Sequence, residues 1–107
     1  MPQFHHGALL LNAATATGAG TAVNLLTIKH KFGFQVSTTG SPTSVVCALQ
    51  GSIDGTNWFT LATWNSATQS NGDIVFAIDV PVGHVRANLT TLSGGATPKV
   101  TAYVAPV

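Results

Sequence analysis

Leu49-Gln50-Gly51-Ser52-Ile53-Asp54-Gly55-Thr56-Asn57-Trp58-Phe59-Thr60-Leu61 is the stretch on which the fold turns. The apolar run Val45 to Leu49 leads into it, and a second apolar run anchored by Trp58 leaves it. Asp-Gly between two apolar runs is a strong hairpin signal, because a tight turn needs residues that tolerate a positive φ. The spacing predicts antiparallel strands on either side of a turn at Asp54-Gly55, with Trp58 packed over the hairpin to seal it.

Outward from the hairpin, the chain keeps the same rhythm. Lys29 to Ser37 alternates, with His30, Phe32, Phe34 and Val36 on one face. Asn57 to Trp64 sets Trp58, Thr60, Ala62 and Trp64 against Phe59, Leu61 and Thr63. Ile74 to Val80 sets Ile74, Phe76, Ile78 and Val80 against Val75, Ala77 and Asp79. Period-two alternation marks half-buried strands. Ala8–Ala13, Thr21–Leu26, Val45–Ser52, Val85–Leu89 and Val100–Val104 read as further strands, separated by Gly- and Pro-bearing breaks. About eight short strands suffice for two packed sheets, so an all-β, antiparallel β-sandwich of jelly-roll or immunoglobulin-like topology is expected. Residues 8–107 form its single domain, and residues 1–7 read as an N-terminal arm whose Phe4 and His5 are candidate contacts to a neighbour, the alternative being a frayed terminus.

Charge narrows the function. Charged residues are 7% of the 107, against roughly 25% in an ordinary soluble domain. There are four cations, Lys29, Lys31, Arg86 and Lys99, three anions, Asp54, Asp73 and Asp79, and a net charge of +1. Such a surface suits a protein that works inside an assembly, where buried unpaired charges are costly; the plain alternative is a β domain that happens to be poor in charge. Four cations make no phosphate-neutralising stripe, so no nucleic-acid partner is expected. No apolar window of about 18 residues exists, so no membrane-spanning helix is expected, and no secretory leader is visible at the start. A single cysteine, Cys47, leaves strand ladders and packing to hold the fold.

A search for chemistry finds no constellation. His5 and His6 are adjacent, His30 lies on an apolar face, and His84 follows the Pro81-Val82-Gly83 turn; none has metal-ligand spacing. Asp54 is a turn residue, Asp73 follows Asn71-Gly72, and Asp79 faces outward, so no carboxylate pair suited to glycoside hydrolysis emerges. Cys47 sits between Val46 and Ala48 as a small buried hydrophobe. There is no nucleophile elbow and no dinucleotide fingerprint. No catalytic residue, metal or cofactor is expected. Trp58, Phe59, Trp64 and Tyr103 could make a sugar platform, although Trp58 reads better as a hairpin cover. Trp64, at the edge of a polar loop, is a candidate interface anchor.

Two segments together resemble a known group. Gly51-Ser52-Ile53-Asp54-Gly55-Thr56-Asn57-Trp58 is followed by Val85-Arg86-Ala87-Asn88-Leu89, then by Ser93-Gly94-Gly95, Pro98 and Val100-Thr101-Ala102-Tyr103-Val104. The chain resembles small structural proteins of tailed bacteriophages, while residues 1–40 carry none of the likeness. The resemblance implies a virion protein, first of all a capsid decoration (cement) protein. It would sit on the capsid surface as a homotrimer and bind the major capsid protein. A neck, tail or spike-base subunit is the alternative within that group, and a carbohydrate-binding β-sandwich for host attachment is the alternative outside it. It also colours Arg86, which shares a strand face with Asn88: a bidentate pair with Asp79 or Asp73 is expected, or failing that an intersubunit contact.

Overall fold

The computed structural model describes residues 8–106, so Phe4 and His5 lie outside the described residues. Nine strands follow one another: β1 (Ala8–Ala14), β2 (Gly18–Ala19), β3 (Val23–Lys29), β4 (Phe32–Thr39), β5 (Ser44–Ser52), β6 (Phe59–Asn65), β7 (Ile74–Ala77), β8 (Val82–Ser93) and β9 (Lys99–Pro106). One sheet runs β1-β9-β4-β7; the other runs β2-β8-β5-β6, with β3 pairing β8 alongside β2. All pairings are antiparallel. No helix is present among the described residues, and hence none that is long and apolar enough to cross a membrane.

Between the two expected topologies the pairing decides. If β2 and β3 are taken as one interrupted strand, first pairs with last, second with next to last, and so inward to the β5–β6 hairpin. That is one long antiparallel ribbon rolled over on itself, the jelly-roll arrangement. The β5–β6 hairpin is its closed end and the β1–β9 pair its open end.

The alternating strands turn one row of side chains into the space between the sheets. Phe32, Phe34 and Val36 of β4 meet Val100, Ala102 and Val104 of β9, facing Val45, Cys47, Leu49, Val85, Ala87 and Leu89 of the opposite sheet, all buried. Fully burying a Leu, Val or Phe side chain contributes about 1.5–3 kcal/mol, and this row is the main source of stability in a chain without a disulfide.

Several expectations shift in detail. His30 leaves the alternating strand and is exposed, because the chain turns at His30-Lys31 between β3 and β4. The Thr17–Gly20 break contains the short strand β2, and Val85–Leu89 extends to the twelve residues of β8. Ile74, Phe76 and Ile78 face solvent, while Val75 and Ala77 face the core. Register explains this choice. Phe32 lies opposite Ala77 and Phe34 opposite Val75, so the two phenylalanines occupy the interior and leave room only for smaller neighbours.

Candidate functional site

The hairpin loop is wider than a two-residue turn. Gly51 pairs Phe59, so Ser52 to Trp58 span the connection. Its geometry is set by the Asp54 carboxylate. Oδ1 accepts the Thr56 and Asn57 backbone N–H groups, each at 2.8 Å, and the Ser52 hydroxyl at 2.9 Å; Oδ2 accepts the Asn57 side-chain amide at 2.8 Å. Gly55, at φ 79°, donates its N–H to Ser52 Oγ at 2.8 Å. The His84 ring packs beside it, 3.4 Å from where a Cβ on Gly55 would sit. The four donors favour the charged form and hold the Asp54 carboxyl well below the usual carboxylate range. Asp54 is therefore an anionic knot for the loop, not a proton donor or acceptor near neutral pH.

The tryptophans exchange the places expected of them. Leu49 pairs Ala62 and Gln50 pairs Thr60, which leaves Leu61 as an extra residue, a β-bulge. The bulge reverses which side successive residues face. Trp64 consequently points inward opposite Cys47, 1% exposed, with Nε1–H donating to the Asp73 carbonyl at 3.2 Å. It is a core residue and not an interface anchor. Trp58 lies on the outer side of the β2-β8-β5-β6 sheet, half-buried, with the Arg86 guanidinium carbon 4.5 Å from its ring centroid.

Arg86 does not pair with Asp79 or Asp73. It stands opposite Gln50 in the β5–β8 ladder, and its Nε–H donates to Gln50 Oε1 at 2.8 Å. Asp73 is occupied at the β6–β7 turn, where its carboxylate accepts the Ser70 N–H at 2.7 Å. Asp79, at φ 59°, sits in the link from β7 to β8. The result is a stack of Gln50, Arg86 and Trp58 that covers one face of the indole. A cation–π contact of this kind contributes roughly 0.5–1 kcal/mol at an exposed site.

Chemistry remains sparse. Burial pushes the Cys47 thiol up to about 12, so it stays protonated and unreactive. Among the described residues no group of three or more His, Cys, Asp and Glu side chains could hold a metal ion.

What the surface does offer is apolar area, in two places that sequence reasoning missed. The first is one end of the β2-β8-β5-β6 sheet. The β3–β8 register passes from Asn24–His84 directly to Lys29–Val82, so Leu25 to Ile28 arch away from the ladder. Asn24 Oδ1 accepts the Leu26 N–H at 2.8 Å, and Leu26 is held at φ 65° with 89% of its surface exposed. Positive φ is costly for such a side chain. Ile28, Ile53 and Phe59 are exposed beside it and border an open hollow of about 420 Å³ at Gly83 and His84 and a smaller one of about 270 Å³ at Asp54 and Asn57.

The second place is the outer face of the β1-β9-β4-β7 sheet. Register sets Leu9 beside Tyr103, Tyr103 beside Gln35, and Gln35 beside Ile74 in one row; Ala105, Gly33 and Phe76 form the next. Phe76 is 73% exposed, and Leu9, Tyr103 and Ile74 are exposed as well. The bulky half of the Ile74–Val80 alternation was the signal for this face, but its direction depended on β4.

No family model matches the chain, and no curated protein matches it either. Among solved structures, the chain is similar to the crystal structure of the SPBc2 prophage-derived protein YomS, at 12% identity and a TM-score of 0.67, over 95% of this chain and 92% of that one. At that identity the shared property is the fold: the two chains have the same β-sandwich over nearly their full lengths.

Proposed function

We propose that this chain is a non-enzymatic virion structural protein, first of all a capsid decoration protein that binds the major capsid protein lattice. The observation that carries the reading is the exposed apolar area on both sheets of a domain with only four cations and three anions. Large exposed apolar patches mark interaction surfaces, and weakly charged faces meet symmetry mates without repulsion. Two further points support it. The same sandwich occurs in a prophage-derived protein, and the two sequence segments resemble phage structural proteins. The expectation of a trimer rests on that resemblance alone. The sugar-binding alternative is weakened, because Trp64 is buried, Arg86 covers a face of Trp58, and the exposed Phe59 and Tyr103 lie on different sheets.

Quantitative mass spectrometry of purified virions tests the reading. A decoration protein is expected at a copy number comparable to the major capsid protein. A few copies per particle would instead place it at the neck, tail or spike base. Absence from washed virions would overturn the reading.

A further inference from the structure

We propose that the outer face of the β1-β9-β4-β7 sheet is the contact surface for a second copy of this chain, across a two-fold axis perpendicular to the strands. The argument starts from the two rows of side chains. In the first, Tyr103, Gln35 and Ile74 stand side by side across β9, β4 and β7; in the second, two residues along, stand Ala105, Gly33 and Phe76. Large side chains on β9 and β4 in one row thus neighbour small ones in the other. A two-fold axis between the rows lays each row on the other row of the second copy. Tyr103 then covers Ala105, Gln35 covers Gly33, and Ile74 meets Phe76, each contact occurring twice. Large against small at facing positions is how packed sheets interdigitate, and a surface that complements itself under a two-fold operation is what an isologous dimer requires.

Gly33 is an independent pointer. Glycine inside a strand weakens it relative to alanine, and often marks a close approach by another chain. Among the described residues nothing demands glycine there: a Cβ at Gly33 would meet only Ile74 Cγ2, at an ordinary 3.5 Å, and its φ is not in the left-handed region. The described residues leave the space above Gly33 open, and the second copy's Gln35 fills it. Gln35 donates one amide N–H to the Gly72 carbonyl at 2.8 Å, so that donor is already paired when the side chain is covered.

Charge allows the contact. The outward positions of the two rows carry no ionisable group except the Tyr103 phenol. Lys99 pairs Thr39 at the far end of β4, about 20 Å from Gly33 at the rise of a strand. The cation nearest the rows is Lys31, exposed just before β4, and a two-fold axis between the rows places the two copies' Lys31 at opposite ends of the contact, away from each other. Size allows it too. Four strands about 4.8 Å apart and about six residues long present on the order of 400 Å² in flat projection. That flat area is about half of the roughly 800 Å² per partner of a standard interface, which suits a weak, concentration-dependent association.

Sedimentation equilibrium of the purified chain, from low micromolar to near-millimolar concentration, tests the proposal. The wild type is expected to associate into an even number of protomers. Phe76→Ser and Gly33→Val are each expected to halve that mass while thermal unfolding shows a folded domain, since neither position lies in the core. Leu26→Ser, on the other sheet, is expected to leave the mass unchanged. A wild type that stays monomeric throughout, a trimer, or an assembly whose mass survives both substitutions would overturn it. Virion content is a separate readout, so self-association and the virion reading can fail independently.

Discussion

At the scale of single residues, four donors surround the Asp54 carboxylate, and all four bonds favour its ionised form. The sign of the pH dependence follows. A carboxyl held below its unfolded value of about 3.9 stabilises the fold above that pH. The contribution is lost as pH falls from about 4 toward the depressed folded value. Asp54→Ala is therefore expected to lower the thermal midpoint at pH 7, and the gap to wild type should narrow steadily below pH 4. A gap independent of pH would show that the loop is held by something other than the charge. The presence of this residue in a turn was legible from Asp-Gly alone. That it gathers Ser52, Thr56 and Asn57 into one knot was not, because the loop length depends on where β6 re-enters the ladder.

At the scale of elements, the Leu61 bulge decides the fate of both tryptophans. Strict alternation puts Trp58 and Trp64 on one face; one extra residue between them puts them on opposite faces. The bulge sits by a tight point in the interior. A Cβ on Gly51 would come within 2.7 Å of Leu61 Cδ1 and 2.9 Å of Val82 Cγ1. Overpacking of this kind costs about 1–3 kcal/mol, more than alanine recovers in backbone entropy. Gly51→Ala is expected to destabilise the domain by about 1–2 kcal/mol in urea unfolding. Gly33→Ala, the same chemistry at an open site, is expected to stabilise it by about 0.4–1 kcal/mol at concentrations where the chain is monomeric. Equal effects at the two sites would mean that chain entropy, not packing, governs both.

At the scale of the whole molecule, the nested pairing joins β1 to β9 across almost the entire chain, and every sheet is completed by a strand distant in sequence. Loop closure has to precede most of the native contacts. Refolding by dilution from denaturant is accordingly expected on a timescale of milliseconds to seconds, as for other domains dominated by non-local pairing. Microsecond folding would contradict the nested topology. The same topology brings Leu9, Tyr103, Gln35 and Ile74 from four separate segments into one row, which no local pattern could have assembled.

By itself the sequence determined the class of fold, the buried row of β4, the buried cysteine and the scarcity of charge. These depend on alternation, turn chemistry and composition, which are properties of neighbouring residues. Tertiary structure alone decided that Arg86 meets Gln50 and Trp58, that Trp64 is interior, and that Phe76 faces out. Each of those outcomes depends on register and on how much volume an opposing strand has already filled. Both are set between segments far apart in the chain, where a period-two pattern reads the same with either face turned inward.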